Sequence, residues 1–296
     1  MSPVELMAEP AAAAPSPLRA AAPRRGATRR LLGSELRMVF RRRRNIALLV
    51  LLAAVPVAIG AAVKINTPRH AEDGPQFLGQ VTGNGMFLVL TALTISLPLF
   101  LPLLVGVVAG DSVAGEAGSG TLRYLLTVPV TRTRVLLAKA FGVLAYAAAA
   151  VLTVGLVGLV TGGILFGLHP MTLLSGDTIS LGAGLLRVAE VVAYVIASLT
   201  GFLAVGLFIS TLTEVPIAAM AATVATAIIV TVLDQIPQLG SLRSLLFTHH
   251  WMGFGEILRL QVDWSMLTSW LGLQLAYVLI FCAAAWARFT TSDITS

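Results

Sequence analysis

Few side chains in this 296-residue chain could do chemistry, and they are scattered. The histidines are His70, His169, His249 and His250. Only the last two are neighbours, and adjacent residues on a helix point about 100° apart. Neither an HExxH pattern nor a nearby cysteine supports a metal site there. The two lysines, Lys64 and Lys139, are followed by Ile65 and Ala140. Neither completes the GxxxxGK[ST] loop that cradles phosphates. Cys282 is the single cysteine and lies in an apolar run, so it cannot form an intramolecular disulfide or a CxxC site. No Ser/His/Asp set or carboxylate pair converges. The chain itself is expected to be no enzyme and to hold no metal or cofactor.

Two charged places and one polar insert remain. Arg187 and Glu190 stand three residues apart, a helix-pair spacing, so Glu190 reads as a local ion pair or as a candidate gate. Glu214 sits in "TLTEVP", where Thr213 or Glu214 is expected to cap a helix with Pro216 in its first turn. The insert is "GDSVAGEAGSGTLRYLLTVPVTRTRVLLAK", from Gly110 to Lys139. Asp111 or Ser112 can cap a short helix there. Gly115, Gly118 and Gly120 permit reversals. Thr121 can cap a second turn in which Leu122, Leu125 and Leu126 share one face. Pro129 ends that turn.

The elements that must position this insert are apolar. The chain is 57% hydrophobic and 11% charged, against about 25% charged in a soluble domain. Six long apolar segments fall at about 46–63, 86–110, 136–167, 188–211, 215–233 and 267–287, near the roughly 20 residues that a membrane span needs. Backbone polar groups must be paired internally in lipid, so the segments are read as helices and the fold as an all-α integral membrane protein. The third is longer than a span and begins in the headgroup region. Pro56, Pro98 and Pro102 are expected to kink the first two. Gly106 with Gly110 and Gly158 with Gly162 have GxxxG spacing, which allows close helix approach. Residues 1–27 read as a disordered tail. Residues 28–44 carry Leu32, Leu36, Val39 and Phe40 within about 100° of arc, so they read as an amphipathic helix lying in the membrane interface. Residues 45–288 form the transmembrane domain and 289–296 a C-terminal tail. The stretch before the first apolar core is too long for an ordinary signal peptide, so that segment is expected to stay as an uncleaved helix.

Basic residues set orientation. With six spans both termini share a side. Fifteen of the 20 Lys and Arg fall on that side and five on the other, which gives N-in, C-in and a cytoplasmic insert. Arg41, Arg42, Arg43, Arg44 and Lys139 are expected to anchor at the inner leaflet, each worth about 1 kcal/mol. Trp251, Phe254 and Trp264 suit an interfacial aromatic belt.

Gly115-Glu116, Ser119-Gly120-Thr121-Leu122, Leu125-Leu126, Pro129-Val130, Arg132 and Lys139 together resemble the hallmark of ABC-2 family permeases, the membrane subunits of one class of ABC transporters. The order of elements resembles that family too, although only the insert is motif-specific. The resemblance implies a coupling helix region that docks in a cleft of an ATPase subunit. It implies contact roles for Gly115, Glu116, Gly120, Thr121, Leu122, Leu125, Leu126, Pro129 and Arg132. It also implies short re-entrant helices in the loop 234–266, with Trp251 and Phe254 in a candidate gate.

Further implications are a cytoplasmic ABC ATPase in two copies, holding ATP and magnesium, and a second permease chain in a homo- or heterodimer. Membrane lipids surround the assembly, no nucleic acid is expected, and the location is the plasma membrane. "LLSGD" at 173–177 lacks the rest of an ABC signature and is read as chance. Export is implied by the resemblance. Two rival readings stay open. An ion-gradient-driven secondary transporter usually needs ionisable residues at mid-membrane, where these segments are nearly clean. A membrane scaffold would use the insert only as a platform.

Overall fold

The computed structural model describes residues 27–66, 83–119, 131–173 and 175–291. Six helical stretches among them are long and apolar enough to cross a membrane, as in a multi-pass membrane protein. The helices are α1 (Ala27–Arg41), α2 (Arg43–Asn66), α3 (Met86–Ser96), α4 (Phe100–Gly118) and α5 (Arg132–Phe166). They continue as α6 (Leu181–Ser198), α7 (Thr200–Ser210), α8 (Pro216–Asp234) and α9 (Trp264–Thr291). A small antiparallel pair, β1 (Met171–Thr172) and β2 (Thr178–Ile179), joins α5 to α6, and 3-10 segments at Pro237–Leu245 and Trp251–Leu258 join α8 to α9.

Two expected spans are broken. The second divides into α3 and α4 at Leu97–Leu99, where Pro98 has no N–H to continue the helical ladder and Leu99 leaves helical geometry (φ −131°, ψ −60°). The fourth divides into α6 and α7 at Leu199, with no proline to mark it. Pro216 does stand at the start of α8, where its missing N–H costs nothing. The residue before it, Val215, is the N-cap, and Thr213 Oγ1 accepts from the Val215 N–H at 3.1 Å.

α3, α4, α5, α6 and α7 supply most of the apolar core. α2, α8 and α9 add fewer residues to it, such as Leu52, Ala227 and Leu267, and α8 and α9 leave rows such as Ile217, Ile228, Leu275 and Leu279 exposed. Both GxxxG pairs act inside the chain. A Cβ on Gly162 would collide with the Gly85 carbonyl at the start of α3, and one on Gly158 would lie 3.2 Å from Val89 Cα. A Cβ on Gly110 would lie 2.7 Å from Met220 Cα in α8. These crossings bring backbones closer than side chains would allow.

Part of the apolar stripe of α1 covers protein: Val39 packs with Val108 of α4 and Tyr146 of α5, and the Phe40 and Tyr146 rings are 6.0 Å apart. One residue, Arg42, separates α1 from α2.

Candidate functional site

At one end of the bundle α1, α4 and α5 meet around a buried lysine. Lys139, in the second turn of α5 or just beyond, is 1% exposed. Its Nζ lies 2.7 Å from Glu116 Oε1 of α4 and 3.4 Å from Glu35 Oε1 of α1. Glu116 is 3% exposed. It stands in the last turn of α4, where a carboxylate meets the negative end of the helix dipole and needs a cation. Burial raises the Glu35 pKa above its ordinary value; Lys139 opposes that shift and Glu116 adds to it.

A second ionic knot lies beside the first. Asp111 accepts from both Arg42 and, at 2.7 Å, Arg44, at the junction of α1 and α2. Asn45 donates to the Val39 carbonyl at 2.8 Å, and the Tyr146 hydroxyl donates to the Asn45 carbonyl at 3.1 Å. A cleft of about 20 Å³, lined by Glu35, Arg42, Asn45 and Asp111, separates the two knots. That is room for about one water.

The rest of this end is fastened as well. Ser210 of α7 donates to the Gly110 carbonyl at 2.6 Å and accepts from the Val113 and Ala114 N–H groups at 2.9 and 3.0 Å. Its hydroxyl thus bridges one turn of α4. A Cβ on Gly118 would sit 2.7 Å from the Glu214 carbonyl, so the end of α4 abuts the turn before α8. Arg132, first in α5, donates to the Phe289 and Thr290 carbonyls at 3.2 and 3.0 Å. A cation there satisfies the exposed carbonyls at the end of α9.

Several expected roles change. Asp111 caps no new helix: α4 runs through it to Gly118, and the carboxylate is buried against arginines. Glu116 points into the protein and not outward as a docking side chain would. Lys139 is a buried counter-ion, not a headgroup anchor. Of the arginine run, Arg41 and Arg43 are exposed, whereas Arg42 and Arg44 turn to Asp111. Gly115 is half-buried, and an added Cβ would lie 2.5 Å from Asp111 Oδ1. Gly120, Thr121, Leu122, Leu125, Leu126 and Pro129 lie outside the described residues.

At the opposite end Arg187 and Glu190 pair at 3.0 Å, as their spacing predicts. Trp251 and Phe254 are buried, 3% and 5% exposed, and so form no lipid-facing belt. Trp251 Nε1 donates to the Ser198 carbonyl at 3.0 Å, at the break between α6 and α7. Its ring packs on Phe202 and Phe247. Trp264 is exposed. His249 and His250 face each other with ring centres 4.8 Å apart. Among the described residues no group of three or more His, Cys, Asp or Glu could hold a metal ion.

Residues 61–295 match a family described as "Protein of unknown function (DUF2705)". The chain belongs to that family. No curated protein matches it. The DUF2705 segment contains Glu116, Lys139 and Asp111 but not Glu35, Arg42 or Arg44. Both ionic knots therefore join the family segment to residues that precede it, in α1 for the first and at the α1–α2 junction for the second.

Glu35, Asn45, Tyr146 and Ser210 were not singled out from the sequence. Glu35 carried a signal: a carboxylate close to the apolar edge of α1, on the side away from most of its arginines.

Proposed function

We propose that this chain is the permease subunit of an ATP-driven exporter of the ABC-2 type. It lies in the cell membrane with both termini and the insert between α4 and α5 on the cytoplasmic side. Two copies of a separate ABC ATPase hold ATP and magnesium and carry out hydrolysis; this chain carries none. A second permease chain completes the translocation path.

The observation that carries this reading is the lysine between two carboxylates. Lys139 joins the last turn of α4, where the insert begins, to α1 and α5. A push on the insert cannot move α4 alone, because separating these buried charges would strand them in low dielectric. The push moves three helices together. Binding of an ATPase that favours one helix arrangement then shifts the population toward it.

The test uses native membranes solubilised in mild detergent, with light crosslinking. The wild-type chain brings down an ATPase subunit. Thr121→Arg and Leu122→Arg insert into the membrane normally and lose it. These positions are better probes than Glu116, whose replacement would disturb the buried triad. If no ATPase follows the wild type, the permease reading fails.

A further inference from the structure

The segment between α8 and α9 is fastened to its surroundings mostly by neutral groups. Tyr194 of α6 donates to the His250 carbonyl at 2.7 Å, and Trp251 to the Ser198 carbonyl at 3.0 Å. Gln274 and Tyr277 of α9 donate to the Phe247 and Leu245 carbonyls at 2.8 and 3.0 Å. The His250 ring stacks on Trp270, 4.7 Å between centres and 10° between planes.

One fastening is of another kind. Asp234 is the last residue of α8 and is buried. It faces the negative end of its own helix dipole, so the carboxylate depends on cations from elsewhere. His249 Nδ1 lies 2.5 Å from Asp234 Oδ1, and Arg243 Nε lies 3.6 Å from the same oxygen. Arg243 is beyond hydrogen-bond reach. His249 therefore holds the direct bond, and its charge decides how strong that bond is.

We propose that Asp234 and His249 form a proton-operated latch that holds residues 237–258 against the end of α8. The latch is tight when His249 carries a proton, because an imidazolium adds an ion-pair attraction to the hydrogen bond that a neutral imidazole makes with the same carboxylate. It loosens when the imidazole is neutral, a change that histidines make between about pH 5 and 8. The other charged groups nearby are accounted for. Arg243 lies against the same carboxylate oxygen. His250, beside His249, has its pKa lowered by burial first and by His249 second, and its ring is stacked on Trp270. Glu256 pairs with Arg259 on the segment itself, and Glu190 with Arg187 on α6. The proposed permease orientation bears only on which compartment's pH is sensed: with the insert inside, it is the outside.

Hydrogen–deuterium exchange of the full chain in lipid nanodiscs tests the latch without any ATPase. With intrinsic rates corrected for pH, amides at 246–258 exchange about fivefold more slowly at pH 5.5 than at pH 8.0, as expected for the ion-pair attraction that protonation adds at a partly exposed site. Amides of α5 serve as the reference for global unfolding. His249→Gln and Asp234→Asn each abolish the difference, and His250→Gln keeps it. A wild type with no pH difference confined to this segment overturns the latch. So does a difference that persists in His249→Gln.

Discussion

Lys139 Nζ lies 2.7 Å from Glu116 Oε1, with 1% of the lysine side chain and 3% of the glutamate side chain exposed. Removing the lysine would leave two buried carboxylates without their shared cation. Lys139→Met is therefore expected to cost roughly 3–5 kcal/mol, the range for breaking a buried pair from one side. Thermal unfolding in detergent measures it. Adding Glu116→Gln restores part of the loss, since one stranded charge goes with it. Equal stability of Lys139→Met and wild type would show that the pair contributes nothing.

Glu35 predicts a pH dependence with a definite sign. Its pKa is raised in the fold, chiefly by burial. Its contribution to stability is complete below the ordinary carboxylate value and is lost as pH rises through the raised one. Glu35→Gln fixes the uncharged form. The unfolding temperature of the wild type relative to Glu35→Gln should thus fall as pH rises from about 4 toward neutrality. A gap that is flat across that range, or that opens in the other direction, refutes the assignment.

The glycines separate into tight and open positions. Gly162→Ala forces a methyl into the Gly85 backbone and should cost about 1–3 kcal/mol, the range for overpacking. Nothing lies within 4 Å of a Cβ on Gly33 in α1. Gly33→Ala should be neutral or stabilise by up to about 1 kcal/mol. Unfolding curves of the two variants side by side make the comparison.

Trp251 closes the break in the fourth span. Trp251→Phe keeps the aromatic packing but removes the donor to the Ser198 carbonyl, at a cost of about 1–3 kcal/mol for an unsatisfied buried group. Trp251→Ala also loses the contacts with Phe202 and Phe247 and should cost about 3–5 kcal/mol. Equal losses in the two variants would mean that the hydrogen bond, and not the ring, holds the segment.

The long apolar segments, Pro98 and the GxxxG pairs were legible in the sequence because length, ring closure and absence of a side chain act locally. The break at Leu199 was not, since it falls inside a continuous apolar run. Its donor, Trp251, is 53 residues away from Ser198. Glu116 and Lys139 were each legible as charges near a span end. Their shared burial was not, because hydropathy sends an isolated charge to solvent or headgroups and reveals no partner. The same limit applies to Asp111: at a predicted span end it resembles a helix cap, until the arginines of the α1–α2 junction are brought to it. Trp251 and Phe254 have the composition of a membrane belt, and only the packing of α6, α7 and α9 around them makes them core.

The Gly85–Gly162 crossing also constrains how this chain can change over generations. A Cβ on either residue would strike the backbone of the other, so the two positions are one target. Whichever glycine is replaced first, that step already pushes α3 from α5 and carries the overpacking cost. A chain that sits just above its stability threshold is therefore expected to keep both. The crossing of the two helices is thus heritable as a pair, whatever substitutions accumulate on the lipid-facing surfaces around it.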